Sequence, residues 1–271
     1  MDAFKDRVAI ITGGAGGIGM AMARAFAGRG ARIVLADLDE AALGNATKEL
    51  QAAGAAVLGV RTDVTKLESM QALADAAVRH FGAVHIVCNN AGVATFGEIA
   101  GSTHRDWEFT MNVNFWGVVH GVETFVPILI KQGAVGHIVN TASMAGLVGM
   151  QWLGIYCASK FAVVGLTESL HRELKPRGIG VSVLCPMIVA TNINQNSVRM
   201  RPQELRNPSE NLVLPEAGDM KGGTVQPEEV GRRVARGIDR KDLYILTHPE
   251  QREFLRRRAA KLDAMFEEGT W

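Results

Sequence analysis

Residues 7–12 (R-V-A-I-I-T) form a short, nearly continuous apolar run that breaks into Gly13-Gly14-Ala15-Gly16-Gly17-Ile18-Gly19. A strand that is apolar on both faces belongs in a parallel sheet covered by helices on both sides. Met20, Ala21, Ala23, Phe26 and Ala27 follow with the spacing of a helix's packing side. Strand, glycine turn and helix together make a phosphate cradle. Glycines let the backbone approach the anion, and the helix N-terminus faces its charge. Two registers fit: Gly14, Gly16 and Gly19 as G-x-G-x-x-G, and Gly13, Gly17 and Gly19 as G-x-x-x-G-x-G. An ordinary tight turn is the competing reading; the flanking strand and helix weigh against it.

The pattern then repeats. Strands are expected at residues 31–36, 55–60, 84–88, 135–141, 181–185 and 243–246. Helical segments lie between them at 40–53, 67–81, 104–131, 155–176 and 227–238, and a charged helix closes the chain at 249–266. Alternation of this kind predicts an α/β fold: a Rossmann-like, doubly wound parallel sheet of about seven strands flanked by helices. The length of 271 residues suits one domain, 1–271. Ligands of such sheets bind at the carboxyl ends of the strands. Asp37 falls at the end of the second strand, Asp63-Val64 after the third, and Asn89-Asn90-Ala91-Gly92 after the fourth. A carboxylate at Asp37 can accept from both ribose hydroxyls. It repels a 2′-phosphate, by about 4 kcal/mol at about 4 Å and an effective dielectric of about 20. With no Arg or Lys beside it in sequence, NAD is expected over NADP. Alternatively, Asp37 merely caps the helix starting near Asp39.

Composition narrows the function classes. Lys and Arg total 29 against 28 acids, a net charge of +1, so no global field calls for nucleic acid or an anionic membrane. Cys88, Cys157 and Cys185 show neither metal spacing nor a disulfide framework, and read as buried thiols of a reducing compartment. No metal is expected. The chain starts almost directly with a strand, and no apolar run reaches the roughly 20 residues of a membrane span. A cytoplasmic protein with no membrane partner is the expectation.

The stretch 143–160 carries the chemistry. Tyr156 and Lys160 are four apart on a helix and so share one face. A lysine cation one turn from a phenol is expected to draw its pKa down toward a working range. Ser143, where a strand should end, would hold a substrate oxygen within reach of the phenol. Asn112 and Asn114 interrupt the apolar residues of the 104–131 helix. They mark either a polar role with a local break in the helix, or one exposed and one satisfied core asparagine.

Thr12 to Gly19 as T-G-x-x-x-G-I-G, Asn89 to Gly92 as N-N-A-G, Asn114, Ser143 and Tyr156 to Lys160 as Y-x-x-x-K occur in order at fitting spacings. Over residues 5–190 the chain closely resembles the compact short-chain dehydrogenases/reductases. The resemblance implies that Tyr156 is the general acid/base, that Lys160 lowers its pKa and binds the nicotinamide ribose, and that Ser143 orients the substrate oxygen. It implies that Asn114 holds a helix bend whose exposed carbonyl fixes a water of a proton relay. It places the pyrophosphate on Gly13, Gly17, Ile18 and Gly19, and an NAD ribose on Asp37. Asp63 and Val64 would contact adenine, Asn90 the adenosine ribose region, and Ile188 and Thr191 the nicotinamide carboxamide and phosphates. Homotetramers or homodimers are implied as well. One departure stands out: Pro186 is followed by Met187, where the family usually has glycine.

Residues 191–225 lose the alternation, as a substrate lid would. Their apolar residues, with Met144, Met150, Trp152 and Leu153, suggest a pocket for a bulky hydrophobic secondary alcohol or ketone; packing of the lid on its own domain is the competing reading. Two other classes share the fold: a non-catalytic NAD sensor or scaffold, and an NAD-dependent epimerase or dehydratase. Intact Ser143, Tyr156 and Lys160 argue against the first, and 271 residues leave little room for the larger substrate domain of the second.

Overall fold

The computed structural model describes residues 3–133, 136–207 and 223–266. In chain order the main elements are β1 (Val8–Thr12), α1 (Gly17–Ala27), β2 (Arg32–Asp37), α2 (Glu40–Ala52), β3 (Val57–Arg61), α3 (Leu67–Phe81) and β4 (Ile86–Asn89). There follow α4 (His104–Met111), a π-helical turn (Asn112–Trp116), α5 (Gly117–Gln132), β5 (His137–Thr141), α6 (Gly154–Leu174) and β6 (Gly180–Cys185). The chain continues with α7 (Ile193–Arg199), α8 (Pro227–Arg240), β7 (Tyr244–Leu246) and α9 (Arg252–Asp263).

The seven strands form one sheet in the order β3-β2-β1-β4-β5-β6-β7. All six pairings are parallel. The order reverses between β1 and β4, the switch point at which such sheets open a crevice. β1, β4, β5 and β6 are buried along their whole length, which is why β1 reads as a continuous apolar run rather than an alternating one. One layer of core gathers Phe26, Leu43, Leu50, Val230 and Val234 from α1, α2 and α8. The other gathers Met70, Leu73, Phe125, Leu129 and Leu170 from α3, α5 and α6. At Gly231 a Cβ would stand 2.5 Å from the Ala21 carbonyl, so the absence of a side chain lets α8 lie directly on α1.

The expected 104–131 helix is real but interrupted. Between α4 and α5 the ladder widens to π geometry over Asn112–Trp116. Both asparagine readings hold in part: Asn114 is fully buried and satisfied, and the break is there as well. Together the run His104–Gln132 is long and apolar enough, by length and composition, to cross a membrane. That departs from the expectation of no membrane-length run, because Asn112, Asn114, His120 and Glu123 break up the apolar residues in sequence while the helix joins them. Here it packs on the sheet through Val118, Phe125 and Leu129.

Of the expected lid, residues 208–222 lie outside those described, with Leu212, Val213, Leu214 and Met220 among them. The rest forms α7 and a 3-10 turn, Gln203–Leu205.

Candidate active site

β1 delivers the glycine turn to the switch point. Gly13 has φ +62°, and a Cβ there would press on Ala91 at 2.9 Å. A Cβ at Gly19 would overlap the Gly13 carbonyl and approach Asn90 Nδ2 at 3.0 Å. Gly17 also has positive φ, so the register Gly13, Gly17, Gly19 is the one the backbone uses. Among the described residues no side chain caps α1, and Gly17 and Ile18 of its first turn line the cavity. This is an anion cradle that a pyrophosphate fits.

Asp37 closes the next wall. Its Oδ2 accepts from Ala15 N at 3.1 Å and its Oδ1 from Asp39 N at 3.1 Å. Asp39, not Asp37, caps α2, accepting from Ala42 N. The capping alternative for Asp37 is thereby overturned. Asp63 accepts from Thr65 N and Oγ1, and Val64 is held by His120 Nδ1 at its carbonyl, 2.9 Å, and by the close approach of Gly117. Asn90 ties three strand ends together: Nδ2 donates to Thr12 O at 2.9 Å, and Oδ1 accepts from Thr141 Oγ1 at 3.3 Å. Thr12 Oγ1 accepts from the amides of both Asn90 and Ala91. Thr12 thus positions the turn after β4, a role the T-G motif signalled by its presence alone.

All of the expected residues except Gly19 and Asn114 line one cavity of ≈ 630 Å3 at the carboxyl ends of the strands. Gly19 shapes the cradle from behind. Asn114 sits under the cavity floor, with Oδ1 accepting from Val93 N at 2.8 Å and Nδ2 donating to Val93 O and Ser159 Oγ. It ties the turn after β4 to α6. Ser159 in turn donates to the Tyr156 carbonyl at 2.7 Å.

Ser143, Tyr156 and Lys160 meet on one wall. Ser143 Oγ donates to Pro186 O at 3.3 Å and accepts from Ala145 N at 3.1 Å. Lys160 is buried, donates to Thr141 O at 2.9 Å, and holds its Nζ 5.6 Å from the centre of the Tyr156 ring. Burial pushes the Tyr156 phenol up to about 12, with the Ser143 hydroxyl pulling the other way. Burial pushes Lys160 down to about 8. The expectation that Lys160 draws the phenol down is therefore corrected. Desolvation of phenolate sets the direction, and Lys160 is itself desolvated and engaged by a carbonyl.

Residues 199–207 are fastened by contacts remote in sequence. Arg199 reaches Asp39 at 2.6 Å across the groove, and Lys66 lines the same end, so cations do stand near Asp37 after all. Arg201 pairs with Asp106 at 2.8 Å, both nearly buried, and Asn207 donates to the same carboxylate. Burial raises the Asp106 carboxyl, but bonds from Thr103 and Arg201 leave it below the usual carboxylate range. The pocket residues need one correction. Met150 and Leu153 line the cavity with Met200 and Leu205, whereas Met144 is buried elsewhere and Trp152 points out, half-exposed at φ +65°. Met187 lines the cavity without a positive φ, so a side chain is accommodated there without backbone strain. Among the described residues no His, Cys, Asp and Glu cluster suits a metal.

A family model described as short chain dehydrogenase matches residues 7–202. The chain belongs to the short-chain dehydrogenase family. A C alpha-dehydrogenase of Sphingobium sp. strain SYK-6 is 36% identical over 261 residues, covering 94% of this chain and 85% of the relative. A 1-deoxy-11-beta-hydroxypentalenate dehydrogenase of Streptomyces exfoliatus is 39% identical over 198 residues, 70% of each chain. The solved structure of a short chain dehydrogenase/reductase from Burkholderia phymatum in complex with NAD superposes with a TM-score of 0.92 at 42% identity, covering 98% of both chains. The protein is an oxidoreductase of this family.

Proposed function

We propose that the protein interconverts a hydrophobic secondary alcohol and its ketone with NAD, and that Tyr156 is its general acid/base. The observation that carries this reading is the convergence of Ser143, Tyr156 and Lys160 on one wall of the cavity that also holds the glycine cradle. NAD, when bound, supplies the hydride acceptor or donor. The chain supplies position and protons. Gly13, Gly17, Ile18 and Gly19 would hold the pyrophosphate, Asp37 the adenosine ribose, Asp63 and Val64 adenine, Asn90 the neighbouring wall, and Ile188 and Thr191 the nicotinamide end. Ser143 would orient the substrate oxygen.

Tyr156 would exchange the proton at that oxygen. A phenol near 12 is protonated at neutral pH, the form needed to protonate an alkoxide, which is a stronger base than phenolate. In the oxidative direction the Lys160 cation offsets part of the desolvation that phenolate suffers. Asn114 would keep the π turn in place behind this wall.

Apolar lining by Phe96, Phe109, Val113, Met150, Leu153 and Met200 supports a bulky hydrophobic substrate. The dehydrogenase names of the two relatives support alcohol oxidation. The Asp37 carboxylate supports NAD over NADP, with Arg199 already engaged by Asp39. Exposed Trp116 and Ile130 on the 104–132 run support a homotetramer or homodimer. The test is Tyr156→Phe, assayed as NAD reduction across a panel of hydrophobic secondary alcohols. Turnover should fall at least about a hundredfold with NADH affinity unchanged; a variant within a few-fold of wild type removes Tyr156 from the chemistry.

A further inference from the structure

His248 lies buried just after β7, outside the motifs that mark the site. Its Nε2 is 3.1 Å from Ile188 O and 3.0 Å from Gly223 O. Both partners only accept, so Nε2 carries the ring proton. Nδ1 is then the accepting nitrogen, and it faces Met187 N at 3.3 Å and the Thr247 hydroxyl at 2.6 Å. One imidazole therefore joins three segments: the loop after β6, the segment by which the chain returns from the lid, and the end of the last strand.

These segments are also joined to one another. Val225 N donates to Ile188 O and Ala190 N to Val225 O, both at 3.0 Å. Gly223 N donates to Glu250 Oε1 at 3.2 Å. One residue before Met187, the Pro186 carbonyl accepts from Met144 N at 2.8 Å and from Ser143 Oγ at 3.3 Å. The loop that His248 grips thus carries Ile188 on one side and orients the Ser143 hydroxyl on the other. The half-buried backbone N–H of its Met187 takes His248 Nδ1 as partner.

We propose that His248 is a positioning residue for the nicotinamide half of the site, holding residues 186–189 in the conformation that receives the nicotinamide and aims Ser143. The inference rests on the reading of the cavity as an NAD site. It acts through the loop, so it touches the nicotinamide half and leaves the adenosine half alone, since Gly13, Asp37 and Val64 are held by other contacts.

The experiment measures the affinities of NADH and of ADP-ribose, which lacks the nicotinamide, for wild type, His248→Ala, His248→Gln and the packing control Leu129→Ala. Leu129 is buried near the end of α5 beside Gly136, in the core layer to which residues 186–189 do not belong. His248→Ala should weaken NADH about tenfold and ADP-ribose less than twofold. His248→Gln places amide N–H donors near the Nε2 position and should recover NADH binding to within about threefold of wild type. Leu129→Ala should lower thermal stability and move neither affinity. If His248→Ala weakens both ligands equally, or lowers stability alone, the positioning role is wrong while the NAD site stands. If wild type binds neither ligand, the NAD reading falls and the inference with it. Should His248→Ala not fold, His248→Asn, too short to reach Ile188 and Gly223, carries the same expectation of selective NADH loss, and equal loss of both ligands refutes it.

Discussion

Replacing Asn114 by alanine tests how the catalytic wall is held together. The Asn114 side chain is fully buried, and Val93 is 7% exposed. Alanine leaves the Val93 amide and the Val93 carbonyl without the partners they have at 2.8 and 3.0 Å. Each orphaned buried backbone group costs about 1–3 kcal/mol. Ser159 loses an accepted bond but keeps its donation to Tyr156 O, so it adds little. The sum is about 2–6 kcal/mol, a large part of the roughly 5–15 kcal/mol that holds a domain folded. Urea unfolding followed by tryptophan fluorescence should show the midpoint falling by this free energy with the slope unchanged. Asn114→Asp is nearly isosteric and sets a carboxylate oxygen against the Val93 carbonyl, so it should be destabilised too, which a loss of volume cannot explain. If Asn114→Ala costs less than about 0.5 kcal/mol, or Asn114→Asp is neutral, the amide does not hold the turn after β4 and the reasoning fails.

Two other predictions concern the cradle and the far end of the sheet. Gly19→Ala drives a Cβ into the Gly13 carbonyl and should cost about 1–3 kcal/mol and most NADH affinity, whereas Gly16→Ala, with no atom within 4 Å of its Cβ, should unfold like wild type; thermal melts and NADH titration check both. His137, buried between Ser182 and Gly180, has its pKa pushed from 6.5 down to about 4 by burial, with Lys241 and His171 adding to it. The unfolded chain therefore takes this proton first. Its stabilising contribution is complete above pH 6.5 and is lost as pH falls toward 4, by about 3 kcal/mol at about 1.4 kcal/mol per pH unit. Urea midpoints between pH 7.5 and 4.5 should show that loss in wild type and a shallower one in His137→Gln; parallel curves would exclude His137 as the source.

Local chemistry was legible in the sequence, and long-range closure was not. The glycine turn could be placed because a strand of buried residues and a helix flank it within twenty residues. Tyr156 and Lys160 could be paired because a helix puts positions four apart on one face. Asn114 announced a helical irregularity because asparagine competes for backbone hydrogen bonds, although its partners Val93 and Ser159 were invisible. The sign of the Tyr156 shift is set by burial, which the Tyr156–Lys160 spacing does not show. Arg199 meets Asp39 and Arg201 meets Asp106 across long stretches of chain that only the fold brings together. His248 carries no motif at all; its position after the edge strand gave no sign that the ring faces the loop after β6. Met144 and Trp152 have the composition of pocket residues, but the chain before α6 buries one and exposes the other.

The most direct measurement is a calorimetric titration of the purified protein with NADH and, separately, with NADPH. Cofactor binding does not require the substrate to be known. The account predicts clear binding of NADH, at least about tenfold tighter than NADPH, because the Asp37 carboxylate repels a 2′-phosphate and Arg199 is held by Asp39. Tighter binding of NADPH would contradict the role of Asp37, and binding of neither would contradict the dehydrogenase site itself.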